Sequence, residues 1–191
     1  MAYTESTMLP LGIEAPDFRL PDVVSGEKMT IEDVKGDMAT VIAFICNHCP
    51  FVHHINPKFS ELAKKYQKLG IGFAAISSND VKNYPEDSPE KMVEVAKKEG
   101  YSFPYLYDET QVVARSYHAA CTPEFYVFNR KMRLVYRGQM DDSRPGNDIE
   151  VTGKDLKSAL DSLLRGEHVS TNQKPGGGCN IKWKKDMDPN N

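Results

Sequence analysis

Two short runs of the chain are apolar at every position, which is the pattern of strands buried on both faces. They are TVIAFI at residues 40–45 and IGFAAI at residues 71–76. Between them, from about Phe51, apolar residues recur at helical spacing, and Gly70 is placed to end that helix. The helical stripe comprises Phe59, Leu62, Ala63, Tyr66 and Leu69. The pattern predicts a strand, helix, strand unit with parallel strands.

The middle of the chain continues this alternation of strands and helices. Ser88 and Pro89 predict the N-cap and first position of a helix that ends at Gly100. A short strand, SFPYLYD, follows. Asp108, with Gln111 three residues later, resembles a capping box for the next helix.

Two hairpins and a final helix complete the pattern. The apolar pieces around Ser25-Gly26 predict a small hairpin near the start of the chain. The runs EFYVFN and MRLVYRG flank Arg130-Lys131 and predict a second hairpin. A last helix is expected from Thr152, and its buried face is expected to carry Leu156, Ala159, Leu160, Leu163 and Leu164.

This order of elements predicts an α/β fold, a three-layer sandwich whose central mixed β-sheet is flanked by helices, with an N-terminal β-hairpin extension. A chain of 191 residues, 40% of them hydrophobic, can bury a sizeable core as one domain. We expect residues 1–165 to form that domain. Residues 166–191 are polar and Gly-rich, and we expect this tail to pack on the same domain by burying Ile181 and Trp183.

Composition excludes several classes of function. The net charge is −3 and the pI is near 6.0, and the lysines are mixed with acids, so nucleic acid is not an expected partner. Residues 1–16 lack the basic start and apolar run of a signal peptide, and no later run is long enough to suggest a membrane span. The sequence therefore predicts a cytoplasmic protein. Four cysteines in such a chain indicate chemistry, metal binding or burial, since they are too few for a disulfide scaffold.

The stretch FICNHCPFVHH, residues 44–54, places two of these cysteines where the buried strand ends and the helix begins. Cys46 would lie near the positive end of that helix, where a thiolate is favoured. An imidazolium at His48, inside the dithiol loop, would attract the same thiolate. Cys49, one turn further in, would be the resolving thiol. The segment predicts a reactive dithiol that is more oxidising than a bare one.

A structural zinc half-site is the alternative for this pair of cysteines. A tetrahedral zinc site needs two more ligands, and the sequence has no second Cys-x-x-Cys. His53 and His54 are close enough in sequence to be considered. Because the cysteines open a helix directly after a core strand, we favour redox chemistry and predict neither a metal nor another cofactor.

A second stretch, ACTPEFYVFN at residues 120–129, completes a resemblance to a known family. With GIEAPDFRLPD near the start and the buried strand that runs into CNHCP, it resembles the thioredoxin superfamily. The similar branch includes the alkyl hydroperoxide reductase and thiol-specific antioxidant group and membrane-associated thiol reductases. The resemblance implies a thioredoxin-like fold and a cis-proline at Pro123 opposite the dithiol. It also implies that the peptide group of Thr122 pairs with a bound substrate beside Cys46.

The chain departs from the family's patterns at the dithiol. Peroxiredoxins have a threonine three residues before the peroxidatic cysteine, where this chain has Cys46. Thioredoxins have a tryptophan where this chain has Ile45. Many relatives keep a buried carboxylate under the dithiol, and the strand before Cys46 contains none. Glu124 is the predicted substitute. Together with Thr122 and Pro50, Glu124 is also expected at the substrate site.

The leading hypothesis is an oxidoreductase in which Cys46 attacks a disulfide, Cys49 resolves it, His48 tunes the potential and Pro123 shapes the groove. Its partners would be a protein or small-molecule disulfide and an upstream dithiol reductant, with no nucleic acid and no membrane. A copper- or zinc-binding protein on the same fold and a peroxidase that uses Cys49 are the alternatives.

The other two cysteines have two interpretations each. Cys121 could be a third thiol, but buried hydrophobic packing is favoured for it. Cys179 could form a disulfide, but anchoring of the tail is favoured.

Overall fold

The computed structural model describes residues 3–189, which form ten strands and five helices. The strands are β1 Tyr3–Glu5, β2 Arg19–Pro21, β3 Lys28–Thr30, β4 Ala39–Phe44, β5 Ile71–Ser77, β6 Tyr105–Tyr107, β7 Cys121–Thr122, β8 Glu124–Asn129, β9 Leu134–Gly138 and β10 Gly177–Asn180. The helices are α1 Ile31–Val34, α2 Pro50–Gln67, α3 Pro89–Glu99, α4 Val112–Ser116 and α5 Lys154–Leu164. A 3₁₀ turn spans Pro85–Asp87.

The central sheet has five strands in the order β6, β5, β4, β8, β9. Strands β4, β5 and β6 are parallel, whereas β8 and β9 are antiparallel to their neighbours. This mixed sheet confirms the predicted architecture. Its middle strand, β4, is buried along its whole length, which explains its unbroken apolar sequence.

Helices cover both faces of this sheet. Buried side chains of α2, α3 and α5 form one core cluster with one face of the central strands. Those of α1 and α4 form a second cluster with the other face. The three layers are those of the predicted sandwich, and the hairpin β2–β3 is the predicted N-terminal extension.

The pairing of β4 with β8 brings two distant segments together. Phe44, the last residue of β4, lies opposite Glu124, the first residue of β8. The residues that follow Phe44 and those that precede Glu124 therefore meet at the same end of the sheet. This is where the structure places Cys46 and Thr122.

Local capping signals were reliable for one helix and misleading for another. Ser88 accepts a hydrogen bond from the backbone of Lys91, and Gly100 ends α3 in the left-handed conformation, as predicted. The prediction of a capping box before α4 is wrong. Asp108 does accept the amide of Ala114, but Gln111 has a positive φ, and its side chain donates instead to the carbonyls of Ser78 and Lys182.

Two helix predictions need correction. Leu69, expected on the buried stripe of α2, lies beyond the end of that helix and is 46% exposed. The last helix begins at Lys154, after an N-cap at Gly153, and not at Thr152. Leu156, Ala159 and Leu160 are buried as expected. Leu163 and Leu164, expected on the same face, are half-buried and pack against the first core cluster.

A second, three-stranded sheet has the order β1, β10, β7, and its middle strand comes from the tail. Ile181 is buried and Trp183 packs against the second core cluster, so both side chains hold the tail against the rest of the chain. The sequence pattern did not predict β10, because a Gly-Gly-Cys-Asn strand has almost no β-forming residues.

None of the helices within residues 3–189 combines the length and the apolar character that a membrane span requires.

Candidate active site

Cys46 and Cys49 lie at the junction between β4 and α2, as predicted. Cys49 is the N-cap residue of α2, and Pro50 occupies the first helical position, where its missing N–H costs nothing. Pro50 is exposed, whereas both cysteines are buried. All four cysteines of the chain are present as thiols.

Thr122 contacts both sulfur atoms of the dithiol. Its Oγ1 lies 3.5 Å from Cys46 Sγ, and its carbonyl oxygen lies 3.3 Å from Cys49 Sγ. The peptide bond between Thr122 and Pro123 is cis, as the resemblance to the thioredoxin superfamily implied. The structure thus joins Cys46, Cys49 and Thr122 into one cluster, and Pro123 lines a small cavity beside Phe51.

The expectation that Thr122 offers an open edge to a substrate is wrong for this structure. Strand β10 already pairs with that edge, with Cys179 opposite Thr122 and Asn180 opposite Cys121. A Cβ atom at Gly178 would lie 2.1 Å from the Thr122 carbonyl oxygen, so only glycine permits this approach. The protein's own tail occupies the edge assigned to a substrate.

The tail also brings a third sulfur into the site. Cys179 Sγ lies 2.9 Å from Cys49 Sγ, although the two residues are 130 positions apart in sequence. The Cys49 sulfur also forms a hydrogen bond with the Cys46 side chain. Cys49 therefore has two thiol neighbours, Cys46 and Cys179.

The three sulfurs differ in acidity. The hydrogen bond with Cys46, together with those from Cys179 and the Val52 backbone, lowers the pKa of Cys49 to about 5 despite its burial. The hydrogen bond to Cys49, burial and the negative charge of Asp87 raise the pKa of Cys46 well above its usual range. Burial and the hydrogen bond to Cys49 raise the pKa of Cys179 to about 12. This reverses our expectation that Cys46 carries the thiolate.

His48 is paired with a carboxylate, and this pairing changes its expected role. Its Nδ1 lies 2.6 Å from Asp87 Oδ2, and its ring stacks on Tyr84. The hydrogen bond with Asp87 raises the pKa of His48. Among the described residues, its buried Nε2 has no hydrogen-bond partner. Because the imidazolium charge is matched by Asp87, His48 does not act on Cys46 as the unpaired cation that we predicted.

Asp87 is the site residue that sequence reasoning missed. It is fully buried and accepts hydrogen bonds from the backbone amides of Asn47 and His48 and from the Asn79 side chain. One of its oxygens lies within 4.8 Å of Cys46 Sγ. Burial pushes its pKa up, but the hydrogen bonds from His48 and Asn79 outweigh burial, and the pKa is lowered. Asp87 is therefore an ionised carboxylate beneath the dithiol loop.

One signal could have pointed to Asp87. It lies in the polar segment that follows the buried strand β5, and the carboxyl ends of parallel strands are where α/β proteins collect functional side chains. The sequence interpretation treated this segment as a plain loop.

Glu124 does not occupy the position predicted for it. Its carboxylate accepts hydrogen bonds from the amides of Ala120 and Cys121 and lies 3.9 Å from Cys121 Sγ. Glu124 lies opposite Phe44, a residue of the second core cluster, whereas Cys46 belongs to the first. Cross-strand partners share a face, so Glu124 faces away from the dithiol, and Asp87 is the nearby carboxylate.

The histidines considered as zinc ligands point elsewhere. His53 Nε2 contacts the Asn47 carbonyl, and His54 Nε2 lies 2.7 Å from Ser143 Oγ. Within residues 3–189, one group brings three ligand atoms within 4.8 Å of one another, formed by Cys46, His48 and Asp87. Its histidine and carboxylate already bind each other, so a metal would have to replace that ion pair.

Comparison with known proteins identifies relatives of the chain. The model of the AhpC/TSA family matches residues 11–137. The thiol-disulfide oxidoreductase ResA of Geobacillus thermodenitrificans is 26% identical over 163 residues, which cover 84% of this chain and 82% of the relative.

Solved structures extend the comparison. An uncharacterized conserved protein from Geobacillus kaustophilus is 57% identical, with a TM-score of 0.95 over 97% of this chain and 98% of that one. The thioredoxin domain of a thiol-disulfide oxidoreductase from Bacteroides vulgatus has a TM-score of 0.57 at 16% identity, over 68% of this chain and 88% of that one. The latter likeness concerns the fold alone, which is that of thioredoxin.

Proposed function

Because the chain belongs to the AhpC/TSA family, we propose that it is a thiol-disulfide oxidoreductase that works through Cys46 and Cys49. The observation that carries the proposal is the pair of sulfurs at the start of α2, both in contact with Thr122. The name of the ResA relatives supports the same reaction class.

The reaction is an exchange of disulfide bonds. Cys46 attacks one sulfur of the substrate disulfide and forms a mixed disulfide, and the other half of the substrate leaves as a thiolate. As Cys46 attacks, its proton passes to Cys49, the acidic thiolate that is hydrogen-bonded to it. Cys49 then attacks the Cys46 sulfur, and the second substrate thiol leaves with that proton. Two electrons have moved from the protein to the substrate.

This balance defines the partners. The substrate is a disulfide, of a protein or of a small molecule, and the Cys46–Cys49 disulfide that remains must be reduced again by an upstream dithiol. A cytoplasmic setting, in which such reductants keep thiols reduced, belongs to the proposal and is supported by the composition of the chain.

The experiment is peptide mapping after reaction of the reduced protein with glutathione disulfide. Trypsin should release Cys46 and Cys49 together in residues 36–58, and we expect this peptide to lose two hydrogen atoms and to resist alkylation. Insulin reduction by dithiothreitol should be accelerated by the protein and by C121S, whereas C46S and C49S should fall to the uncatalysed rate, because the covalent route is lost. Complete alkylation of both cysteines after the reaction would contradict the proposal.

The acidity of Cys49 favours peroxide reduction as a second candidate. Its thiolate would attack a peroxide, release an alcohol or water and become a sulfenic acid. A neighbouring thiol would then displace water from the sulfenic acid and form a disulfide. Consumption of hydrogen peroxide by the wild type at the rate of C49S would exclude this candidate.

A further inference from the structure

Cys179 is held in a fixed position beside the dithiol. It lies on β10, between β1 and β7, with Tyr3 opposite it on one side and Thr122 on the other. The side chain is 2% exposed. Because β10 is paired on both sides, the position of Cys179 beside the dithiol is set by backbone hydrogen bonds.

Gly178, directly before Cys179, has no space for a side chain. A Cβ atom at Gly178 would lie 2.1 Å from the Thr122 carbonyl oxygen, a backbone atom that cannot turn aside. The tail backbone can thus approach the residue that contacts both dithiol sulfurs. This close pairing puts the Cys179 sulfur against Cys49.

The sulfur atoms of Cys49 and Cys179 are almost within bonding distance. They lie 2.9 Å apart, and a disulfide bond of about 2.05 Å requires only a further approach of roughly 1 Å. Cys121 is also buried, but its sulfur lies 3.9 Å from the Glu124 carboxylate. Among the described residues, no contact as short as that between Cys49 and Cys179 joins it to another sulfur.

We propose that Cys179 is a third redox-active cysteine, which accepts the disulfide from Cys46 through Cys49. The proposal rests on the proposed exchange chemistry of the dithiol. In this step the Cys179 sulfur, after losing its proton, attacks Cys49 in the Cys46–Cys49 disulfide. The Cys46–Cys49 bond breaks, the Cys49–Cys179 bond forms, and Cys46 leaves as a thiolate that takes up a proton.

The step needs no external oxidant. One disulfide and one thiol are present before and after it, and the proton lost by Cys179 equals the one gained by Cys46. Its product differs from the first disulfide in two ways. Cys46 is again a thiol, and β10 is covalently fixed over Thr122.

The test uses the C46S variant, in which Cys49 can bond only with Cys179 or with the reagent. After reaction with glutathione disulfide, trypsin should yield residues 36–58 joined to residues 166–182, a pair of peptides whose mass no internal disulfide can mimic. C46S/C121S should give the same linked pair, and C46S/C179S should give only the glutathione adduct of Cys49. In C46S we expect at least tenfold more Cys49–Cys179 than Cys49–Cys121 linkage.

Two further arms keep the result decisive. If C46S is unfolded by circular dichroism, the linked pair is sought in the oxidised wild type, where its absence overturns the proposal. Folded C46S that carries only the glutathione adduct also overturns it. In C179S, formation of the Cys46–Cys49 disulfide shows that the proposed function stands even if the role of Cys179 is refuted. Absence of the Cys46–Cys49 disulfide in C179S and in the wild type overturns the proposed function itself.

Discussion

At the scale of single residues, Asp87 organises the dithiol loop. Its buried carboxylate accepts the backbone amides of Asn47 and His48 and also binds the His48 ring. The same charge disfavours a thiolate at Cys46. One side chain thus fixes the conformation of the loop and helps to direct the negative charge of the dithiol toward Cys49.

The first prediction concerns D87N. Without the carboxylate, the pKa of Cys46 should fall, because a negative charge near its sulfur is gone, and the pKa of His48 should also fall, because its partner is gone. Thiolate absorbance of the reduced protein and NMR titration of His48 measure the two changes. E86Q, at the exposed neighbouring position, should change neither pKa. Unaltered titrations in folded D87N would contradict the role of Asp87.

The stabilisation that is lost in D87N should depend on pH. The pKa of His48 is raised in the folded protein above its unfolded value of 6.5. The ion pair therefore stabilises the fold fully between the lowered pKa of Asp87 and pH 6.5, and its contribution is lost as the pH rises through the folded pKa of His48. The difference in unfolding free energy between wild type and D87N should become smaller as the pH rises through the folded pKa of His48. A difference that grows with pH would be the wrong sign for this pair.

At the scale of elements, β10 decides what reaches the dithiol. It pairs with β7 along the edge that the family resemblance assigns to substrates, and the sulfurs beneath are no more than 2% exposed. Disulfide exchange with an external partner therefore requires that this strand or the dithiol loop moves. The strand is four residues long, so its opening costs few backbone hydrogen bonds.

The second prediction tests this cover with G178A. The added methyl group cannot fit 2.1 Å from the Thr122 carbonyl oxygen, so β10 must move away from β7. Alkylation of Cys49 in the native reduced protein should be about tenfold faster, which corresponds to roughly 1.4 kcal/mol lost from the closed state. T171A, in the exposed segment before β10, is the control and should react at the wild-type rate. Equal rates for G178A and wild type would mean that β10 does not control access.

At the scale of the whole molecule, α2 connects the dithiol to the core. Phe59, in the middle of that helix, is fully buried and packs against the rings of Phe73, Phe103 and Phe125. These rings come from the central sheet and from the segment before β6. The helix that carries Cys49 at its N-terminus is thus held by the main hydrophobic core.

The third prediction compares two apolar residues of the same predicted stripe. F59A should lower the unfolding free energy by about 3–5 kcal/mol, because it leaves a cavity among packed rings. L69A should change it by no more than about 0.5 kcal/mol, since that side chain is 46% exposed and lies beyond α2. Urea unfolding of both variants measures the effect. Similar losses for the two would contradict the placement of Leu69.

Features whose causes are local could be predicted from the amino-acid sequence. The apolar runs of β4 and β5 report burial on both faces, and the spacing of Cys46 and Cys49 after such a run puts two thiols at a helix N-terminus. The caps of α3 and the presence of the β8–β9 hairpin are likewise encoded by neighbouring residues. The turn itself is longer than the predicted Arg130-Lys131 pair, since β9 begins at Leu134 and not at Met132. Thr122-Pro123 was located through resemblance, since no local pattern ties it to residues far away.

Features that depend on distant chain segments meeting in space could be identified from the folded chain alone. Asp87 reaches the dithiol loop because β5 lies beside β4, and Cys179 reaches Cys49 because β10 pairs with β7. Which sulfur carries the charge follows from these neighbours, since the donors around Cys49 and the carboxylate near Cys46 come from separate parts of the chain. Electrostatic interactions and hydrogen bonds act over a few ångströms of space, whatever the separation in sequence, and that distance is set by the fold.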